Sequence, residues 1–276
     1  MLLRIGVIKV GNIGSAPLLE FLFDERAERE DIDTRVVGSG SKLLPEQAEE
    51  VTKKLLEFEP RLVLVTSPNA ALPGPRRIRE LLAVTKVPTV VISDGPGKKA
   101  VEDIEAKGMG YIIVPADAMI GARREFLDPL EMALFNTDVI SVLAITGVFS
   151  IIYQELDKVI EQIKKNENPT LPKIVVDGEK AVAAADFQNP YAKAKAMAAY
   201  EMAKQVAGLN SAGCFKIKEW ERYVPTVTAA HEMIRMAARL ANESREIEKY
   251  GDHLLRKPHY DDGRILKKRK LMQKPK

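Results

Sequence analysis

The stretch Arg4–Leu22 reads RIGVIKVGNIGSAPLLEFL and decides the fold. Its first part, Arg4–Val10, is an apolar and partly β-branched run that predicts a buried parallel strand. Gly11–Gly14 end that strand, and Ser15 with Pro17 predicts the start of a helix with an apolar face. Such a unit points backbone N–H groups and the positive end of a helix dipole at the space above the strand's carboxyl end. That space suits a phosphate, a carboxylate or a polar ring edge.

The glycine turn departs from the dinucleotide-binding fingerprint. It reads GNIG rather than GxGxxG, and Val36–Gly40 (VVGSG) supplies no acidic residue to hold a ribose. These departures argue against a standard NAD site. A tight strand-to-helix turn that binds nothing is the alternative interpretation.

Composition limits the classes of function. The 276 residues are 46% hydrophobic and 29% charged, which predicts a globular protein with a well-buried core. The net charge of +3 gives no indication of a nucleic-acid partner. One cysteine and three histidines argue against an intrachain disulfide, a metal site and an iron–sulfur cluster. The chain starts directly in a strand and no run reaches membrane-spanning length, so we predict a cytoplasmic protein without a membrane partner.

Strands and helices alternate through the first part of the chain, which predicts an open, parallel, Rossmann-like sheet. Ligands of such sheets bind outside the carboxyl ends of the strands, where this sequence places small and turn-forming residues. After the first unit, the predicted strands are Thr34–Gly38, Arg61–Thr66, Val87–Ile92 and Tyr111–Val114, and the predicted helices are Pro45–Phe58, Pro75–Ala83 and Lys98–Lys107.

A mostly helical region with a small strand element is predicted after Ala118. We therefore predict an α/β domain over residues 1–120 and a helical region with short strands over residues 121–276. The predicted elements of the second region are a charged linker Gly121–Pro129, helices over Leu130–Lys165 interrupted at Gly147, a strand Lys173–Asp177, an alanine-rich helix Ala192–Ala207, a strand Gly213–Lys218, a helix Val224–Tyr250 that carries His231 on its apolar side, and a hairpin within Leu254–Leu266.

The motifs of nucleophilic and metal-dependent catalysis are absent from the sequence. It contains no GxSxG, HExxH or Walker A pattern. Their absence fits chemistry in which two bound reactants carry the reactivity and the protein aligns them, as in hydride transfer between organic cofactors. An NAD(P)-dependent dehydrogenase and a non-catalytic nucleotide- or anion-sensing α/β protein are the alternatives.

Long stretches of the chain carry a family resemblance. They resemble the coenzyme F420-dependent methylenetetrahydromethanopterin dehydrogenases of methanogenic archaea, over nearly the whole length. Two loops of that family are altered here, Asn69–Pro75 in part and Asp94–Gly97 as DGPG. The stretches are Ile8–Gly14 (IKVGNIG), Leu22–Ala27 (LFDERA), Val36–Gly40 (VVGSG), Tyr111–Val114 (YIIV), Met119–Ala133 (MIGARREFLDPLEMA) and Asn189–Glu201 (NPYAKAKAMAAYE).

The resemblance implies an oxidoreductase of methanogenesis from CO2. Methylenetetrahydromethanopterin reversibly gives a hydride to oxidised F420, which yields methenyltetrahydromethanopterin and reduced F420. The family uses no metal, flavin or iron–sulfur cluster. It is homohexameric, with active-site clefts that involve neighbouring subunits. The resemblance thus implies that residues 1–120 form the coenzyme-binding domain and that residues 121–276 make substrate and oligomer contacts.

The resemblance also directs the choice of site residues. A carboxylate near the cation that forms as the hydride leaves would stabilise it, and the candidates are Asp117 and Glu125, with a helix cap or an ion pair as the alternative role of each. No acid–base residue is expected. The predicted contacts to the pterin or to anionic tails are Arg123, Arg124 and Asn136. The predicted coenzyme contacts are Gly11, Asn12, Ile13, Ser39, Gly40, Ser67, Asn69, Asp94 and Gly95.

Overall fold

A computed structural model describes residues 2–24 and 31–276 of the chain. Glu25–Ala27, which belong to one of the stretches that carry the family resemblance, lie outside the described residues. The chain divides into two compact units. Unit 1 comprises Met1–Val114, Ile152–Val176 and His259–Arg264, and unit 2 comprises Pro115–Ile151, Asp177–Pro258 and Ile265–Lys276.

Unit 1 contains a parallel six-stranded sheet, which confirms the predicted α/β class. Each predicted strand of this unit forms, with ends displaced by one or two residues. The central strands are buried along their whole length, as their uninterrupted apolar sequences require. The strands are β1 (Leu3–Lys9), β2 (Ile32–Gly38), β3 (Leu62–Ser67), β4 (Thr89–Asp94), β5 (Gly110–Val114) and β6 (Lys173–Val175), in the spatial order β2-β1-β3-β4-β5-β6.

The strand order reverses direction once in this sheet. The chain passes from β1 to β2 on one side and then to β3 on the other side of β1. The loops that follow β1 and β3 therefore leave the same edge of the sheet at a topological switch point, where ligands of open α/β sheets bind. The register pairs Lys9 with Thr66 and Ser67 with Ser93, so the carboxyl ends of β1, β3 and β4 are level.

The helix predicted from Pro45 begins there, and the helix predicted from Pro75 begins two residues earlier, at Pro73. Proline occupies the first turn of the helices after β2 and β3, where its missing N–H costs no hydrogen bond. The predicted helix Lys98–Lys107 is α-helical only from Val101, because a 3₁₀ segment, Gly95–Ala100, precedes it. The helices are α1 (Ser15–Asp24), α2 (Pro45–Leu56), α3 (Pro73–Thr85), α4 (Val101–Ala106) and the part of α6 (Val148–Lys164) from Ile152 onward.

Unit 2 is helical among its described residues, as predicted. Side-chain caps start its helices: the carboxylate of Asp128 accepts from the N–H of Glu131, and the amide oxygen of Asn189 accepts from the N–H groups of Tyr191 and Ala192. The helices are α5 (Pro129–Thr146), α7 (Gly178–Ala185), α8 (Pro190–Ser211) and α9 (Trp220–Tyr250).

The long helices α8 and α9 pack against each other through small residues. Ala192, Ala196, Ala199 and Ala203 are fully buried in α8, at spacings of three and four residues. Alanine side chains on this face allow neighbouring helix backbones to approach closely.

Two predictions for unit 2 were wrong, one helix was not predicted, and one predicted hairpin forms only in part. Gly213–Lys218 is not a strand, because a π-helical segment, Ala212–Lys216, continues α8. The helix α7 was not predicted. The statement that no run reaches membrane-spanning length is wrong for α5, which is long and apolar enough by length and composition alone. The predicted C-terminal hairpin forms in part, as an antiparallel bridge between Arg256 and Lys268.

Gly147 separates α5 from α6, as predicted. Its backbone has a positive φ of 104°, and a β-carbon placed there would lie 1.9 Å from the carbonyl oxygen of Ala181. An L-residue with a side chain fits neither the φ nor the space.

We expect Gly147→Ala to lower the free energy of unfolding by roughly 2–4 kcal/mol, because both strain and a backbone clash oppose the substitution. Urea unfolding followed by circular dichroism measures the change. Gly208→Ala is the matched control: Gly208 lies within α8, a β-carbon there meets nothing within 4 Å, and the substitution should be neutral or stabilising by up to about 1 kcal/mol. Equal unfolding midpoints for Gly147→Ala and the wild type would contradict this account.

Candidate functional site

Gly11 lies at the carboxyl end of β1 in a tightly enclosed turn. Its φ is 78°, and a β-carbon there would lie 2.7 Å from Cδ of Pro68 and 2.9 Å from a methyl group of Leu43. The N–H of Gly11 donates to the carbonyl oxygen of Gly40 at 2.9 Å. The turn after β1 is thus fixed to the loops after β2 and β3, which brings two of the predicted coenzyme residues, Gly11 and Gly40, into contact.

The loop after β2 has a different character. Ser39 donates its N–H to the carbonyl oxygen of Lys9 and its hydroxyl to that of Lys42. Gly40 has a φ of 64°, but a β-carbon there would meet nothing within 4 Å. The glycine at position 40 therefore serves the backbone conformation and leaves open space beside it.

Ser67, at the end of β3, carries an unusual buried hydroxyl. The residue is fully buried, and its Oγ has no hydrogen-bond partner within residues 2–24 and 31–276. Leaving a buried hydroxyl unsatisfied costs free energy, so such a group in a native fold calls for an explanation. Ser67 lies at the topological switch point, where ligands of open α/β sheets bind.

Asn69 shapes the proline-rich loop that follows β3. Its Oδ1 accepts from the N–H of Ala71 at 3.0 Å, which forms a local turn. The next residue, Ala70, is fully buried and donates its N–H to Oγ of Ser93 in β4 at 3.0 Å. The carbonyl oxygen of Ala70 accepts from the guanidinium of Arg79 at 2.6 Å.

Asp94 and Gly95 lie at the end of β4. Asp94 is buried, and its carboxylate accepts from the N–H of Gly95 at the start of the 3₁₀ segment. The carboxylate therefore caps that segment, which is a structural role beside the predicted contact to a coenzyme. Asn12 and Ile13 follow Gly11 before α1, so all the predicted coenzyme residues lie at the carboxyl ends of β1 to β4.

In unit 2, Tyr223 joins two of the predicted site residues. The guanidinium of Arg123 lies 4.3 Å above the Tyr223 ring and donates to the carbonyl oxygens of Gly213 and Ile217. Glu125 accepts a hydrogen bond from Tyr223, and this bond lowers the pKa of the Glu125 carboxyl. Glu125 is thus an exposed carboxylate near neutral pH, and Arg123 is held by the backbone rather than by Glu125 or Asp128.

The other predicted residues of unit 2 differ in burial. Asp117 is fully buried, whereas Arg124 is exposed. Asn136 is half-buried, and its amide nitrogen donates to the carbonyl oxygen of Met132 one turn earlier in α5. Arg124 therefore has the greatest freedom among them to meet an anion.

His231 of α9 is a packed histidine. It is buried against the rings of Phe126 and Phe135, and Nδ1 lies 3.0 Å from a carboxylate oxygen of Glu131. Burial lowers the pKa of His231, and the hydrogen bond and charge of Glu131 oppose that shift. Its Nε2 lies 3.3 Å from the carbonyl oxygen of Gly121, so the imidazole fixes the segment that carries Arg123 and Glu125.

A cavity of unit 1 lies away from these residues. Its volume is about 450 Å³, and its lining residues belong to the ends of α3 and α4 and to the segments that precede β4, β5 and β6. This is the amino-terminal edge of the sheet. Lys86 and Lys107 there lie at helix carboxyl ends, where cations complement the helix dipole, so they do not indicate an anion site.

Several residues that hold these loops in place were not predicted from the sequence. Ser93, Arg79 and Tyr223 act through contacts with residues distant in sequence. For Ser93, the sequence feature that could have indicated a role is its position directly before Asp94, next to the end of a predicted strand. No local signal distinguishes Arg79 from its neighbours Arg76 and Arg77.

An open parallel sheet with a glycine turn and an unsatisfied buried hydroxyl at its switch point defines a Rossmann-type ligand-binding protein. The chain belongs to the methylene-5,6,7,8-tetrahydromethanopterin dehydrogenase family, whose sequence profile matches residues 3–276.

Similar proteins agree with this family over their full lengths. An F420-dependent methylenetetrahydromethanopterin dehydrogenase from Archaeoglobus fulgidus is 57% identical, and one from Methanocaldococcus jannaschii is 52% identical, with all of each chain covered. A solved structure of such an enzyme in complex with methylene-tetrahydromethanopterin and coenzyme F420 is 47% identical, with a TM-score of 0.97 and all of both chains covered.

Proposed function

We propose that the carboxyl edge of the sheet in unit 1 binds F420, and that the segment from Asp117 to Asn136 in unit 2 binds and activates methylenetetrahydromethanopterin. The activity itself follows from family membership: this chain is an oxidoreductase that acts on methylenetetrahydromethanopterin with F420. Full-length identity of 57% to an enzyme of that name is the observation that carries this conclusion.

The residues at the sheet edge fit F420. Ser67 offers a buried hydroxyl that needs a hydrogen-bond partner, and the turn at Gly11 has backbone where a side chain cannot fit. Backbone N–H groups before α1 favour an anionic group. When bound, F420 accepts the hydride. The residues that contact F420 in this proposal are Gly11, Asn12, Ile13, Ser39, Gly40, Ser67, Asn69, Asp94 and Gly95.

The carboxylates of unit 2 supply electrostatic stabilisation in this proposal. The methylene carbon of the substrate lies between two nitrogens and gains positive charge as the hydride leaves. Glu125 is held as an anion by Tyr223. Asp117 is fully buried, so its carboxyl group lies at a lower effective dielectric constant than water, where electrostatic interactions are stronger. Arg123, Arg124 and Asn136 bind the pterin or its anionic tail.

The first experiment tests the reaction directly. Purified protein is mixed without air with oxidised F420 and methylenetetrahydromethanopterin, and the visible absorbance of the deazaflavin is followed. We expect rapid bleaching with F420 and none with NAD or NADP in parallel reactions. Folded protein that reduces NAD(P) and leaves F420 oxidised would overturn the assignment in favour of an NAD(P)-dependent dehydrogenase.

Asp117→Asn tests the electrostatic role. We expect kcat to fall roughly 10- to 100-fold, because an aligned charge is lost, while the Kd of F420 changes by less than about twofold. Asp177→Asn is the control: it makes the same chemical change in unit 2 at a helix cap that asparagine also fills. An unchanged kcat in Asp117→Asn would remove Asp117 from the mechanism.

We also propose that the chain forms a homohexamer in the cytoplasm, and that α5 contributes to the subunit contact. The helix is mostly apolar, yet only 28% of it is buried. Leu130, Met132 and Leu134 are exposed by 66%, 38% and 43%. Exposed apolar patches of this kind mark association surfaces.

Sedimentation equilibrium tests the association. We expect the wild type to have six times the mass of one chain, and Leu134→Glu to shift the distribution to smaller species, because it places a charge in an apolar contact. Val84→Glu, at an 83% exposed position of α3 in unit 1, is the control and should leave the mass unchanged. A monomeric wild type over a range of salt concentrations would contradict the proposal.

A further inference from the structure

Arg79 is the largest fully buried side chain of unit 1, with a relative exposure of 2%. It projects from α3 and donates in two directions. Nε and Nη2 donate to one carboxylate oxygen of Asp103 in α4, at 2.9 and 2.7 Å. Nη1 donates to the carbonyl oxygen of Ala70, in the loop after β3, at 2.6 Å.

Both backbone polar groups of Ala70 are therefore hydrogen-bonded to side chains. Its N–H donates to Oγ of Ser93 in β4, and its carbonyl accepts from Arg79. The Ser93 hydroxyl lies close against Gly97, where a β-carbon would be only 2.5 Å from its Oγ. The neighbouring residue Asn69 has its side chain turned onto the N–H of Ala71, so the backbone hold on Ala70 also fixes Asn69.

Stability alone is a poor explanation for this arrangement. Burying a guanidinium costs several kcal/mol in desolvation, and a buried ion pair is often no more stabilising than packed apolar side chains. What an arginine fork supplies is geometry, because its planar donors fix the direction of each acceptor. Asp103 also accepts a hydrogen bond from Lys107. Burial raises the pKa of Asp103, but the hydrogen bonds from Lys107 and Arg79 outweigh that effect and lower the pKa. The anchor is therefore charged at neutral pH.

We propose that Arg79 is a positioning residue for F420: through the carbonyl of Ala70 it holds the loop that carries Asn69 in its ligand-binding position. The inference rests on the proposed function, in which Ser67 and Asn69 contact F420. Arg79 touches no ligand in this account. It sets the affinity for the coenzyme and leaves the affinity for methylenetetrahydromethanopterin unchanged.

The test compares Arg79→Lys with Arg76→Lys. Lysine keeps the charge at position 79 and removes the fork, whereas Arg76 is an exposed residue of the same helix, paired with Glu80. We expect Arg79→Lys to raise the Kd of F420, measured by isothermal titration calorimetry, about tenfold, the equivalent of about 1.4 kcal/mol. The KM of F420 should rise equally, while the KM of methylenetetrahydromethanopterin and kcat at saturating F420 stay within about twofold. Arg76→Lys should match the wild type.

A second variant keeps the test decisive if Arg79→Lys folds poorly. Ser93→Ala removes only the acceptor for the N–H of Ala70 and should raise the Kd of F420 in the same direction. A purely structural role predicts a lower melting temperature with a wild-type Kd in the folded variants, and that result would overturn the inference. A wild-type chain that fails to bind F420 would overturn the proposed function and this inference together, whereas equal Kd values for wild type and both variants overturn the inference alone.

Discussion

Three loops of unit 1 meet around the α-carbon of Gly11, and the carboxyl edge of the sheet depends on that contact. Pro68 and Leu43 leave no room for a β-carbon, and Gly40 accepts the hydrogen bond of the Gly11 N–H. The positive φ of Gly11 turns the chain from β1 toward α1 at this point. A side chain would separate the loops after β1, β2 and β3, so one residue without a side chain keeps the three ends of the switch point together.

Polar side chains also hold irregular backbone in place in each of the two units. In unit 1, Arg79 and Ser93 hold the residue that follows Asn69, and in unit 2, His231 and Arg123 hold backbone carbonyls of segments distant in sequence. Each of these groups was desolvated on folding, which opposes stability. Their common effect is to give irregular backbone one position rather than several. Loops that align two reactants need that restriction more than they need additional stability.

The sequence predicted the sheet well because its signals are local. Buried β-branched runs, glycine turns and proline at helix starts are each read within a few residues, and they placed Gly11, Ser67 and Asp94 correctly at strand ends. The prediction of a strand at Gly213–Lys218 was wrong because the β-branched and aromatic residues of this stretch also suit a strand. The contacts that decide its structure come from a distant residue, since Arg123 donates to the carbonyl oxygens of Gly213 and Ile217, within and just after the π-helical turn. The role of Arg79 could not be predicted from the sequence either. Arg76, Arg77 and Arg79 lie on one helix, and only tertiary packing buries Arg79.

The composition of α5 shows how far sequence alone can mislead about environment. Its length and hydropathy suit a membrane, but Asn136, Thr137 and Asp138 lie in its middle, and a carboxylate at the bilayer centre costs roughly 3 kcal/mol. Burial raises the pKa of Asp138, and Arg235 of α9 opposes that shift. One side of the helix is committed to packing in unit 2 through Phe135, Val139, Val142 and Leu143. A mostly apolar helix with polar residues at its centre is better suited to burial between protein surfaces, where polar groups find partners, than to lipid, where they find none.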